Sequence, residues 1–149
     1  CGWAGDAIVL RGDVNIGVAV ALDEGLIVPV IRNANQKPLA ALSVEIKALA
    51  EKARHKRLTP DDYSGGCLTL SNLGMYDIDS FIPIINPGES AILGIGRIAE
   101  RVVARQGGIH IRSLMTVTLS GDHRVVDGAI AAKFLKDMKL LLEDPQKLT

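Results

Sequence analysis

IHIRSLMTVTLSGDHRVVDGAIAAKFLKDMKLLLE, residues 109–143, changes its hydrophobic period half-way along. From Ile109 to Ser120 the side chains alternate. Met115, Val117 and Leu119 share one face, and Leu114, Thr116, Thr118 and Ser120 share the other, which predicts one long strand. From Gly128 to Glu143 the apolar residues recur at helical spacing. This predicts an amphipathic helix with Ile130, Phe134, Leu135, Met138, Leu141 and Leu142 turned inward. Asp127 stands where the N-cap of that helix belongs, and Asp144-Pro145 stops it.

Working towards the N-terminus, AILGIGRI (91–98) reads as a buried strand, and CLTLSNL (67–73) alternates like another between glycines. FIPIINPG (81–88) is too interrupted by proline for a central strand and is expected to be an ordered loop or an edge. Residues 38–57 carry the clearest helical pattern, in Leu39, Leu42, Ile46, Leu49, Ala50 and Ala53. Pro38 suits its first turn, and Arg54-His55-Lys56-Arg57 suits the negative end of its dipole. Thr59-Pro60-Asp61-Asp62 has the chemistry of a capped turn. VNIGVAVAL (14–22) and LIVPVI (26–31) read as two strands joined at Asp23-Glu24-Gly25, the second an edge or irregular strand because Pro29 has no N–H. Several strands and two long helices, not in strict alternation, predict an α/β or α+β sandwich built on a mixed sheet.

Composition removes several functions. The 149 residues are 48% hydrophobic, enough for one compact domain, and 17 basic residues balance 17 acidic ones. With no basic excess, a nucleic-acid partner or an anionic membrane surface is not expected. No apolar run approaches the roughly 20 residues that cross a bilayer. Aromatic residues make up 3% of the chain, too few for stacking platforms. Two cysteines, Cys1 and Cys67, make no disulfide framework and point to a reducing compartment. The opening Cys1-Gly2-Trp3 lacks an initiator Met and a basic-then-apolar leader, so a fragment or a processed chain is expected.

Few residues offer chemistry. His123 lies in Gly121-Asp122-His123-Arg124-Val125-Val126-Asp127-Gly128, between a strand and a helix, where a rigid turn can present a base. An unperturbed imidazole, with a pKa near 6.5, moves protons at neutral pH. Local pattern alone favours the plainer role, satisfying loop carbonyls. Asp127 is explained by capping, and Asp122 with Arg124 reads as a solvated turn pair. Ser71, in Ser71-Asn72-Leu73-Gly74, could donate to a developing oxyanion or simply serve a turn. Gly94-Ile95-Gly96 lacks the third glycine and the ribose-binding acid of a dinucleotide fingerprint. His110, His123 and Cys67 lack metal-ligand spacing, so no metal is expected. A Cys67–His123 nucleophile pair stays open, although an apolar strand favours an inert thiol. His55 belongs to the basic helix end and is read as surface.

Four stretches resemble the catalytic domain of the dihydrolipoyllysine acyltransferases, the E2 components of 2-oxo acid dehydrogenase complexes. They are GDVNIGVAVALDEGLIVPVIRNA (12–34), LTLSNLGM (68–75), IINPGESAILGIGRI (84–98) and LSGDHRVVDGAIAAKFL (119–135). They run in the family's order over nearly the whole chain. The last holds the His-three-Asp-Gly pattern shared with chloramphenicol acetyltransferase, whose fold the family has. The family domain is longer, with a helix and a strand upstream of Cys1, and it commonly carries glycine where this chain has Asp77.

The resemblance implies that residues 1–149 are part of one acyltransferase catalytic domain, the lipoyl and subunit-binding domains lying upstream. It implies transfer of an acyl group, acetyl in the first place, from S-acyl-dihydrolipoyl-lysine to coenzyme A. His123 would be the base and Ser71 the oxyanion donor, with Asp127 orienting the loop. Lipoyl-lysine would come from a separate domain. A homotrimer would share each active site across a subunit boundary, with His123 from one chain and Ser71 from the next. Trimers would build a core of 24 or 60 subunits that meets the E1 and E3 components through upstream domains. The setting would be the cytoplasm, or the mitochondrial matrix in a eukaryote. The alternatives are an E2-like scaffold without turnover, a branched-chain or acetoin-complex acyltransferase, and a stand-alone acetyltransferase for a small alcohol.

Overall fold

A computed structural model describes residues 1–148. The chain enters through a small ribbon, β1 (Gly2–Trp3) paired with β2 (Ile8–Val9). It then runs through β3 (Ile16–Val18), β4 (Val20–Leu22), β5 (Gly25–Ile27) and β6 (Val30–Ile31). Next come α1 (Leu39–Arg54), β7 (Leu68–Asn72), β8 (Ala91–Ile95), β9 (Ala99–Arg105), β10 (Gly108–Leu114), β11 (Val117–Gly121) and α2 (Gly128–Glu143).

Five strands make the central sheet, in the order β11-β8-β7-β3-β6. β3, β7 and β8 run parallel, and β6 and β11 close the two edges antiparallel. The sheet is therefore mixed, as the unequal mixture of strands and helices predicts. Opposed residues share a face, so the ladder sorts the side chains. Leu70, Leu93 and Leu119 line up on one face, which is the aliphatic one. Thr69, Ser71, Ile92, Gly94, Thr118 and Ser120 occupy the other. Residues 77–90, without strand or helix as their prolines require, cover part of this second face. Ser120 donates to the Pro83 carbonyl at 2.7 Å, and a Cβ on Gly94 would press on Phe81 and Pro83. A Cβ on Gly96 would overlap the Asp79 carbonyl. The glycine pair thus serves close packing of this segment.

Three strand expectations need correction. The run 14–22 divides at Ala19, because the backbone changes partners there. Ala19 N–H donates to Leu70 O, while β4 leaves the sheet to pair with β5. The run 26–31 divides at Pro29, a fully buried residue whose carbonyl accepts from Val18 N–H. Only β6 joins the sheet, and it is an edge, as its proline predicts. The run 109–120 divides at Met115-Thr116, and its first half folds back on β9, a strand the sequence reading missed. β9 and β10 form a ribbon with Val102, Ile109 and Ile111 exposed, so neither strand has one buried face to show as alternation. Its two-residue turn, Gln106-Gly107, has positive φ at both positions, the geometry of a hairpin turn.

Both helices stand where their periodicity places them. α1 starts just after Pro38, which holds its N-cap position, and buries Leu49 and Ala53, packing against β4 and β6. The turn that follows is closed by Asp62, whose carboxylate accepts from Thr59 N–H at 2.8 Å. α2 matches its expected bounds, but its apolar face is not turned into a core. Leu135 and Met138 are half-buried, while Ile130, Phe134, Leu141 and Leu142 are exposed. The helix rests on an edge strand, β11, and finds no second layer among the described residues.

Candidate active site

The expected site residues lie on two stretches of backbone. The first begins where β11 ends. Asp122 N–H donates to the Ser90 carbonyl at 2.8 Å, which hangs the turn from the residue preceding β8. Val125 N–H and Val126 N–H both donate back to Asp122 O, at 2.8 and 2.9 Å. The Asp122 carbonyl and, through Arg124 N–H, the Asp122 carboxylate therefore close this turn. His123 takes no part in these bonds and is exposed.

Its neighbours hold one another. The Asp122 carboxylate accepts from Arg124 N–H at 3.1 Å, from Nε at 2.9 Å and from Nη2 at 2.6 Å. The Arg124 guanidinium keeps Asp122 below the usual carboxylate range, and Asp122 raises Arg124 in turn. Asp127 caps α2 as expected, with Oδ1 accepting from Ile130 N–H at 2.8 Å.

The second stretch is the end of β7. Ser71 is half-buried and stands opposite Gly94, on the face partly covered by residues 77–90. Here too the turn is made without the serine. Asn72 Oδ1 accepts from Gly74 N–H at 2.8 Å, and Leu73 N–H donates to Ile95 O. Asp77, where a glycine was expected, holds a left-handed backbone with φ 64° and pairs with Arg97. Arg97 also engages Asp79, which lowers the Asp79 pKa.

These two stretches do not meet within one chain. Ser71 opposes Gly94, which opposes Thr118, so two strand spacings of about 4.8 Å separate Ser71 from β11. Gly121 lies three residues further along, and at about 3.3 Å per residue it is about 14 Å from Ser71. His123 lies beyond it, at the other end of the sheet.

Cys67 is not poised for His123, since its thiol donates to the Asn15 carbonyl at 3.1 Å, on the β3 side of β7. His110 lies in the β9–β10 ribbon beside the Arg105 carbonyl, and exposed His55 follows α1. Among the described residues no three His, Cys, Asp or Glu side chains are grouped to hold a metal ion. A cleft between the β4–β5 ribbon and the end of α1, lined by Leu22, Ile27, Lys56 and Tyr63, contains neither His123 nor Ser71.

Sequence reasoning missed two features near these stretches. Arg124 lies over the ring of Trp3, 5.5 Å from its centroid. Thr69, fully buried, donates to Glu89 at 2.9 Å and accepts from Asn86 at 2.9 Å. Burial raises the Glu89 pKa. The lone tryptophan was the only sequence signal for the first, and the second had none.

Comparison with known proteins agrees over nearly the whole chain. Residues 2–149 match the family model of the 2-oxoacid dehydrogenases acyltransferase catalytic domain. The chain is 50% identical over 143 residues to the dihydrolipoyllysine-residue acetyltransferase component of the pyruvate dehydrogenase complex of Rickettsia conorii. That match covers 96% of this chain and 35% of the relative. It is 46% identical to the succinyltransferase component of the 2-oxoglutarate dehydrogenase complex of Rickettsia bellii, over 97% of this chain and 36% of that one. Among solved structures, an Azotobacter vinelandii dihydrolipoamide acetyltransferase superposes with a TM-score of 0.92 at 42% identity, covering 96% of this chain and 59% of the other. A cubic core of the pyruvate dehydrogenase multienzyme complex gives 0.92 at 43%, with the same two coverages. The chain thus spans about a third of the length of the curated relatives it matches. On the match across residues 2–149, the chain belongs to the catalytic-domain family of the 2-oxoacid dehydrogenase acyltransferases.

Proposed function

We propose that this chain transfers an acyl group, acetyl in the first place, from S-acyl-dihydrolipoyl-lysine to coenzyme A. The observation that carries the reading is the His123 turn. The bonds that close it run through Asp122 and do not use the imidazole, which is exposed. The Azotobacter vinelandii enzyme was investigated for the catalytic roles of a serine, a histidine and an asparagine. Those three are spaced along that chain as Ser71, His123 and Asp127 are here, with aspartate in place of the asparagine.

The steps follow from thiol chemistry. A free thiol with a pKa of about 8.5 is only a few per cent ionised at neutral pH, so a base is needed. His123 takes the proton from the coenzyme A sulfur, which attacks the thioester carbonyl carbon. A carbon–sulfur bond forms, and the carbonyl oxygen gains negative charge that the Ser71 hydroxyl stabilises by donation. Collapse breaks the bond to the dihydrolipoyl sulfur, which takes the proton back from the imidazolium. Asp127 holds the turn by capping α2. No acyl-enzyme is required.

The separation of Ser71 and His123 supports a site shared between protomers. A homotrimer would bring His123 of one copy to Ser71 of the next, with the lipoyl-lysine delivered by a separate domain. Trimers of this kind would form the larger core, and E1 and E3 would meet it through domains upstream.

The test supplies acetyl-dihydrolipoamide and coenzyme A to the assembled chain and follows acetyl-CoA. His123→Ala should lose about 10²- to 10⁴-fold in rate. Ser71→Ala should lose about 10²- to 10³-fold. A mixture of the two variants should regain part of the activity, because some boundaries would then carry both intact residues. Activity that survives His123→Ala refutes the base, and a well-assembled but inactive parent indicates a scaffold. The Rickettsia bellii succinyltransferase relative favours one second reading, succinyl transfer, which the same assay with a succinyl donor separates.

A further inference from the structure

The Asp122 N–H bond to the Ser90 carbonyl ties the turn that presents His123 to the approach to β8. Its neighbours on both sides, Asp122 and Arg124, are joined by a forked ion pair and by Arg124 N–H. The Asp122 side chain is 16% exposed and that of Arg124 is 62% exposed. An arginine that open would ordinarily sample many rotamers, and its ion pair alone would fix little. Here the guanidinium also lies over the half-buried indole of Trp3, within the roughly 6 Å at which a cation and a ring attract. Trp3 is itself anchored, because β1 pairs with β2 and Gly2 packs closely on the Gly88 carbonyl. Gly88 lies two residues before Ser90, whose carbonyl holds Asp122 N–H.

We propose that Trp3 and Arg124, together with Asp122, are positioning residues that clamp the turn carrying His123. Arg124 is thus more than a solvated turn pair with Asp122. The inference rests on the acyl-transfer reading for its consequence but not for its existence. A base must lie within about 3 Å of the proton it removes, and a misplacement of about 1 Å can cost about 10²-fold in rate. The clamp restricts the backbone on both sides of His123.

Trp3 is the single tryptophan of the chain, so its fluorescence reports the clamp directly. Arg124→Met removes the cation while keeping an apolar stem, and Arg124→Lys keeps the charge. The expected result is a changed Trp3 emission in Arg124→Met and a largely preserved one in Arg124→Lys. In turnover, Trp3→Leu should lower kcat about two- to tenfold with both KM values unchanged. Trp3→Phe, which keeps a ring of the same class, should restore most of the loss and guard against misfolding. Identical emission from the parent and Arg124→Met overturns the clamp. Parent-like kcat in Trp3→Leu, or an effect confined to KM, overturns its positioning role. An inactive parent would sink the acyl-transfer reading alone, and the emission comparison would still decide the clamp.

Discussion

Asp127 separates two accounts of the His123 turn, and its side chain can be changed in two informative ways. Its backbone is extended, with φ −78° and ψ 167°, and its carboxylate oxygen accepts from Ile130 N–H at 2.8 Å. That is the geometry of an N-cap, which satisfies one of the otherwise unpaired donors of the first turn. Asp127→Ala removes this bond and also the favourable charge at the positive end of α2. The first costs about 1 kcal/mol, and the second about 0.3–1 kcal/mol at an exposed site. Asp127→Asn keeps the acceptor and loses only the charge, so its cost is the second of these. Urea titration of the assembled chain should therefore order the three proteins as parent, then Asn, then Ala. Turnover should follow the same order, with Asp127→Asn within a few-fold of the parent and Asp127→Ala lower, because fraying of α2 loosens the turn. A carboxylate acting on the His123 imidazole would give a different pattern. Asp127→Asn would then lose at least about 10²-fold in kcat at nearly unchanged stability, and that result would refute the capping account. Equal stability of Asp127→Ala and parent would refute it from the other side.

Other perturbations probe the ground around the two stretches. Burial raises the Glu89 pKa, so its contribution is most favourable below the ordinary glutamate value, near pH 4, and is lost as pH rises through the raised one. Glu89→Gln should accordingly raise the urea midpoint at pH 8 and lose that advantage towards pH 4. A pH-independent difference would count against this assignment. Asp77 holds a left-handed backbone, so Asp77→Ala should be less stable than Asp77→Gly by about 1 kcal/mol in the same titration. Equal stability would mean that the backbone relaxes there. Gly96→Ala forces a Cβ onto the Asp79 carbonyl and should cost at least about 1–3 kcal/mol, read as a lowered Tm.

What the sequence made legible was local. The turn from β11 into α2 lies within one contiguous stretch, so its capping aspartate and its presented histidine could be read from neighbouring residues. α2 itself kept its predicted bounds for the same reason. The apolar face of that helix was misread because periodicity tells which residues share a side and not what covers it. β9 went unread because a ribbon standing off the core exposes both faces and erases alternation. The breaks at Ala19 and Met115-Thr116 come from changes of hydrogen-bond partner, which are decided by strands far away in sequence. The strand order β11-β8-β7 is of the same kind, and it has the largest chemical consequence. Because β8 lies between β7 and β11, and β11 runs antiparallel to it, Ser71 and His123 finish at opposite ends of the sheet. Had β11 paired parallel to β8, its end would lie beside the end that carries Ser71, and one chain could complete the proposed site. Strand direction at a single edge thus makes a second copy a requirement of the proposed chemistry.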